Sequence, residues 1–134
     1  MRRVLADTGP LYALVDPDDG LHSRAKREAD LLERLRLLAV APTPVILEGY
    51  TLVLHRLGAR AAQAWCQDLL AGAALLNPTL DDYLAAAERL RRYDDQKISL
   101  TDAVVAELSA RLASPVWTFD HDFDLLGVEV WRPA

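Results

Sequence analysis

Five carboxylates stand where a chain could use them together: Asp7, Glu48, Asp102, Asp120 and Asp122. Asp7 opens Asp-Thr-Gly in "RRVLADTGPLYALVD", Glu48 interrupts the apolar stretch "VILEGYTLVL", and Asp102 lies in "SLTD". Asp120 and Asp122 alternate with other residues in "TFDHDFDLLG". Carboxylates brought within 4 to 6 Å repel by about 3 to 4 kcal/mol per pair at an effective dielectric near 20. A gathered set must therefore take up protons or hold a cation. Oxygen-only ligands suit Mg²⁺ or Mn²⁺ better than Zn²⁺. Such an ion clamps phosphoryl oxygens and activates water. Each acid also has a plain reading: Asp7 as a helix cap, Glu48 as an exposed helix-edge residue, Asp102 as part of a Ser99 capping box, and the last pair as a polar turn.

The positioning elements follow from the hydrophobic pattern. "RVLA", "LAVAP", "AALLNP", "PVWTFD" and "VEVW" read as five short strands. Between them the spacing predicts helices over "GPLYALVD", from Leu21 to Leu38, over 43–58 with Pro44 just inside the start, and over 59–72, 79–93 and 99–113. This alternation predicts an α/β domain with a mainly parallel sheet, in which the functional crevice lies beyond the carboxyl ends of the strands. Asp7 and Asp120 each follow a predicted strand and meet there if those strands are neighbours. The same alternation argues against an aspartic protease, whose Asp-Thr-Gly sits in an almost wholly β fold.

The bulk numbers limit the partners. The chain has 134 residues, suiting one domain over 1–134, and no apolar run long enough to cross a membrane. The start lacks the pattern of a secretory signal, and the lone Cys66 permits no internal disulfide, which together point to the cytoplasm. The net charge of −5 disfavours a broad basic grip on nucleic acid but permits approach to a phosphate through metal ions. Arg56, Arg60, Arg89, Arg91, Arg92 and Lys97 read as solvated helix faces, and His22, His55 and His121 as surface or structural residues. Other α/β phosphate chemistries lack their marks. Glycine at position 9 replaces the second aspartate of a haloacid-dehalogenase-like phosphatase, no lysine stands where a receiver domain needs one, and there is no P-loop motif.

Taken in order, "LADTGPLYAL", "VILEGYTLVL", "ISLTDAVVAEL" and "VWTFDHDFDLLGVEV" resemble a PIN-domain protein, and most of all the VapC-type toxin ribonucleases of toxin–antitoxin pairs. The resemblance spans nearly the whole chain. It implies a three-layer α/β/α sandwich with a mainly parallel sheet of about five strands, and Mg²⁺- or Mn²⁺-dependent hydrolysis of RNA. It further implies a small antitoxin as partner and a homodimer. Residue by residue, Asp7, Glu48 and Asp102 match the three core acids and Asp120 the fourth. Asp122 matches a frequent additional acid, and Thr8 and Thr118 the small hydroxyl positions that steady the site. Gly9-Pro10 departs from the more usual Ser or Ala after the first Asp-Thr pair. The alternative function is a catalytically silent PIN-like module that binds RNA or protein.

Overall fold

The computed structural model describes residues 2–133. Four parallel strands form one sheet in the order β3-β2-β1-β4, with β1 at Arg3–Ala6, β2 at Leu38–Pro42, β3 at Ala74–Leu76 and β4 at Val116–Trp117. Helices flank it in a three-layer α/β/α arrangement: α1 (Thr8–Ala13), α2 (His22–Arg34), α3 (Thr43–Leu57), α4 (Ala59–Gly72), α5 (Leu80–Leu90), α6 (Leu100–Leu112) and the short α7 (Asp122–Leu125). The chain steps from β1 outward to β2 and β3, then returns to place β4 on the other side of β1. The order therefore reverses at β1, and a crevice opens beyond the carboxyl ends of β1 and β4.

Burial on both faces explains why the strands read as apolar runs rather than alternating ones. Val4, Leu5, Ala6, Val40, Ala41, Val116 and Trp117 are all buried, joined by Val104, Val105 and Leu108 of α6. Pairing fixes the heights of the strand ends. Ala6 stands beside Trp117, and the Asp7 N–H donates to the Trp117 carbonyl at 2.9 Å. The residues after each strand therefore emerge side by side.

Three expected boundaries shift. The helix expected over Leu21 to Leu38 ends at Arg34, because Arg36 adopts φ 55° and turns the chain into β2. The helix expected to continue through Tyr93 gives way after Leu90 to a 3₁₀ turn at Arg91–Tyr93. The fifth strand is reduced to a parallel bridge between Val130 and Val116, with the Val116 N–H bonded to the Glu129 carbonyl and the Trp131 N–H to the Val116 carbonyl. A two-residue β4 offers little edge for it to pair with. Elsewhere the local chemistry is as read: Thr79 caps α5 in a reciprocal box with Asp82, and Pro44 lies inside the first turn of α3.

Two packing devices orient the helices that carry acids. Arg111 of α6 grips both oxygens of the buried Asp82 of α5 at 2.8 Å, holding that carboxyl below its usual range. On α3, Gly49 lies against Trp65 of α4. A Cβ built on Gly49 would fall 2.2 Å from Trp65 Cη2. This close approach turns the neighbouring Glu48 out of the α3–α4 seam. We expect Gly49→Ala to cost about 1–3 kcal/mol in urea denaturation, as overpacked cores do. Trp65→Phe, which removes the crowding atoms, should recover part of that loss in the double variant.

Candidate metal centre

Beyond the ends of β1 and β4 lies a cavity of about 630 Å³ lined by all five acids, Asp7, Glu48, Asp102, Asp120 and Asp122. Each comes from a different local device. Asp7 is the first residue after β1 and stands at the N-cap of α1, yet its side chain makes no capping bond. Its Oδ2 instead accepts from the Thr118 hydroxyl at 2.8 Å. That hydroxyl in turn accepts the Asp120 N–H at 2.9 Å, and Asp120 Oδ1 accepts the Asp122 N–H at 2.9 Å. One chain of hydrogen bonds thus runs from β1 through the turn after β4. Asp102 enters from the first turn of α6, where the Ser99 hydroxyl accepts its backbone N–H at 3.1 Å. Half of the expected capping box forms: Ser99 caps the turn, while the Asp102 carboxylate lines the cavity instead of returning to the Ser99 N–H. Glu48, exposed on α3, closes the wall.

The electrostatics are severe. Asp7 and Asp102 are buried. Burial pushes the Asp7 carboxyl up to about 6, helped by Glu48 and Asp120. The Thr118 hydroxyl and the adjacent Thr8 backbone N–H oppose the rise only in part. Burial likewise raises Asp102, to about 7, with Asp7, Asp120, Glu48 and Asp122 all adding. Among the described residues, Asp7 Oδ1 and Thr8 Oγ1 are buried without a hydrogen-bond partner. A buried unpartnered carboxylate oxygen is expensive unless something else meets it.

That orphaned oxygen is one test of whether a cation fits. A second is the oxygens of Asp102, Asp120 and Asp122, which approach within 4.8 Å of one another. Both are hard donors, and the set contains no thiolate or imidazole. It fits an oxygen-seeking divalent ion.

Seven further residues line the cavity: Thr8, Gly9, Leu52, Lys97, Ser99, Phe119 and His121. Lys97 was grouped with solvated cations, yet it is the lysine among the lining residues. Its place just before the α6 cap was the available signal. Phe119 sat unremarked between Thr118 and Asp120. His121 lines the rim with a nearly free side chain, while His22 bonds the Ala13 carbonyl through Nδ1 at 2.6 Å, a structural role. Glu28 also escaped notice. It sits inside the apolar stripe of Ala25, Ala29 and Leu32, is buried, accepts from Trp117 Nε1 at 3.0 Å and pairs with Arg24 at 2.7 Å.

Comparison with known proteins agrees with this architecture. The PIN domain family model matches residues 4–129, and the chain belongs to that family. No curated protein matches it by sequence. Among solved structures it is similar to VapC20 of Mycobacterium tuberculosis, described as a sarcin-ricin loop cleaving toxin. The identity is 28%, the TM-score 0.85, and the match covers 97% of this chain and 99% of that one. VapBC2 from Rickettsia felis, solved on a DNA fragment from its promoter, shares the fold at 11% identity and TM-score 0.74, with 97% of each chain covered. FitAcB from Neisseria gonorrhoeae shares it at 19% identity and TM-score 0.67, again over 97% of each chain.

The raised carboxyls make a prediction in chelator. A carboxyl whose folded value exceeds its unfolded one stabilises the fold fully below the unfolded value and loses that contribution as pH climbs through the folded value. Stability without divalent ions should therefore fall between about pH 4 and pH 7. Asp7→Asn should remove a share of that slope on the order of 2–3 kcal/mol. Urea melts of both proteins across this range check it.

Proposed function

We propose that the chain is a metal-dependent endoribonuclease of the VapC type, acting as the toxin of a toxin–antitoxin pair. The observation that carries this reading is the gathering of five carboxylates, two of them buried with raised pKa values, in one cavity of a PIN-family chain. In this reading residues 1–134 act as one domain, in the cytoplasm, on RNA. The nearest support for the substrate is the likeness to a toxin that cleaves the sarcin-ricin loop.

Asp7 and Asp102 would hold the principal ion, Mg²⁺ or Mn²⁺, and Glu48 and Asp120 would complete its surroundings and orient the attacking water. Asp122 supports Asp120 through its backbone N–H. Thr118 fixes one oxygen of Asp7 and leaves the other free of protein partners, and Thr8 borders the same space. When bound, the ion offsets the carboxylate charge and lends Lewis acidity to the phosphodiester and its attacking water. The water's oxygen adds to phosphorus as one ester oxygen leaves with a proton, and the carboxylates at the cavity wall receive and return protons. No side-chain nucleophile is required. Holding water, phosphate and acids in a fixed geometry contributes as much as any single group.

The partners follow from the same charge. A small antitoxin would present arginine to the carboxylates, the pairing with the best bidentate geometry. A homodimer is part of the reading, and the exposed leucines of α3 and α5, Leu47, Leu54, Leu80 and Leu84, offer apolar surface for it.

The test is cleavage of a structured RNA and of an unstructured oligoribonucleotide with Mn²⁺ or Mg²⁺, with and without chelator. Asp7→Asn and Asp102→Asn should each lower the rate by about 100-fold or more, a range already reached when a supporting residue of a metal site is lost. Unchanged cleavage in Asp7→Asn rejects the assignment. Mg²⁺ should also raise the melting temperature of the parent more than that of Asp7→Asn; an equal rise in both argues against a shared ion site.

A further inference from the structure

Phe119 is half-buried, lines the acidic cavity and stands between Thr118, which holds Asp7, and Asp120. Its ring is braced from outside that cavity. The Arg24 guanidinium carbon lies 4.4 Å from the ring centroid, and Arg24 is not among the lining residues. Arg24 is itself fixed by Glu28 at 2.7 Å, whose other oxygen accepts from Trp117 Nε1 at 3.0 Å. A buried carboxylate thus orders a cation on one side of the ring and the residue at the end of β4. Phe119 is among the residues that line the cavity, so part of the ring stays within reach from there. A Cβ at Gly9 would come within 3.8 Å of Phe119 Cδ2 and 4.0 Å of its Cβ, ordinary contact distance, so a larger side chain there would crowd the ring's edge. Gly9 itself is exposed and leaves that space open.

From this arrangement we infer that Phe119 is a stacking platform for a nucleobase of the substrate, next to the phosphodiester presented to the carboxylates. The inference rests on the ribonuclease reading and adds to it a specificity element. Aromatic rings bind bases of single strands because every base has a π-face. A base can stack on a ring in the cavity wall only when it is splayed out of a helix, so the nucleotide beside the cut is unpaired. The Arg24 brace keeps the ring from turning, so that its open side is already presented before the strand arrives. The same cavity is lined by Lys97, a cation suited to a flanking phosphate.

The experiment uses single-stranded oligoribonucleotides carrying 2-aminopurine at successive positions. They are bound with Mg²⁺ to the Asp7→Asn chain, in which cleavage is slowed enough for binding to be read first. At one register the fluorescence should be quenched. Phe119→Leu should abolish that quenching and weaken binding about tenfold, the scale of one base–aromatic stack. Phe119→Trp should restore both. Gly9→Leu keeps Phe119 and every charge but crowds the edge of the ring from the neighbouring helix, and should lower quenching and affinity as Phe119→Leu does. Circular dichroism and melting confirm that each variant is folded. Quenching and affinity equal to the Asp7→Asn chain in both Phe119→Leu and Gly9→Leu overturn the proposal. If the parent cleaves RNA in that case, the stack alone fails and the nuclease stands. If the parent neither cleaves nor binds RNA, the proposal falls together with the ribonuclease reading.

Discussion

Everything in this molecule answers to one constraint: two carboxylates, Asp7 and Asp102, are buried beside three others at the open end of a parallel sheet. Burial and mutual repulsion both favour protonation, and the carboxyls respond by rising to about 6 and about 7. A protein that merely needed stability would place apolar residues there. The cost is tolerated because a hydroxyl, a backbone N–H and a helix cap each hold one acid in position. The remaining oxygen of Asp7 is left without a partner, and this makes the cluster a receptor for charge rather than a structural network.

The fold supplies this geometry through topology more than through any local motif. Because β1 lies between β2 and β4, the chain after β1 and the chain after β4 emerge together. Asp7 and Asp120, separated by most of the sequence, become neighbours through a single hydroxyl, Thr118. α3 and α6 then bring Glu48 and Asp102 across the opening. Their placement depends on packing away from the site: the close contact of Gly49 with Trp65, and the grip of Arg111 on Asp82. A loss at either seam would be felt at the acids without touching them.

Much of this was legible from residue types. Apolar runs buried on both faces gave the parallel sheet, and acids just after strands gave the crevice. The order of the four acidic stretches carried the family likeness. Less legible was anything set by three-dimensional partners. Arg36 ends α2 through a left-handed backbone, a conformation that no leucine pattern announces. The fifth strand has alternating residues but meets a two-residue neighbour, and so forms only a bridge. Glu28 stood in plain view inside an apolar stripe. Its meaning depends on Trp117, 89 residues away, which periodicity cannot connect. Phe119 carries no signal of its own until the cavity beside it is known.

The charge distribution explains how an acidic chain can serve a polyanion. With a net charge of −5, long-range attraction cannot gather RNA, and the protein forgoes the fast steering that basic nucleic-acid binders use. Affinity must then come from short-range contacts made only when the strand is already seated. Under the proposed reading these would be a divalent ion shared between carboxylates and phosphate, the cavity's Lys97, and the apolar Leu52 and Phe119 that line it. Such contacts reward shape and local flexibility rather than phosphate count. An RNA that offers an accessible, pliant segment of the right form is favoured over bulk duplex carrying far more charge. The same distribution favours inhibition by a basic peptide arm, because a guanidinium meets the buried carboxylates directly and has no phosphate of its own to be repelled. Under the proposed reading, a single acidic cavity would distinguish substrate from inhibitor by what each must bring to neutralise it: the substrate would need the ion, and a cationic arm would replace it.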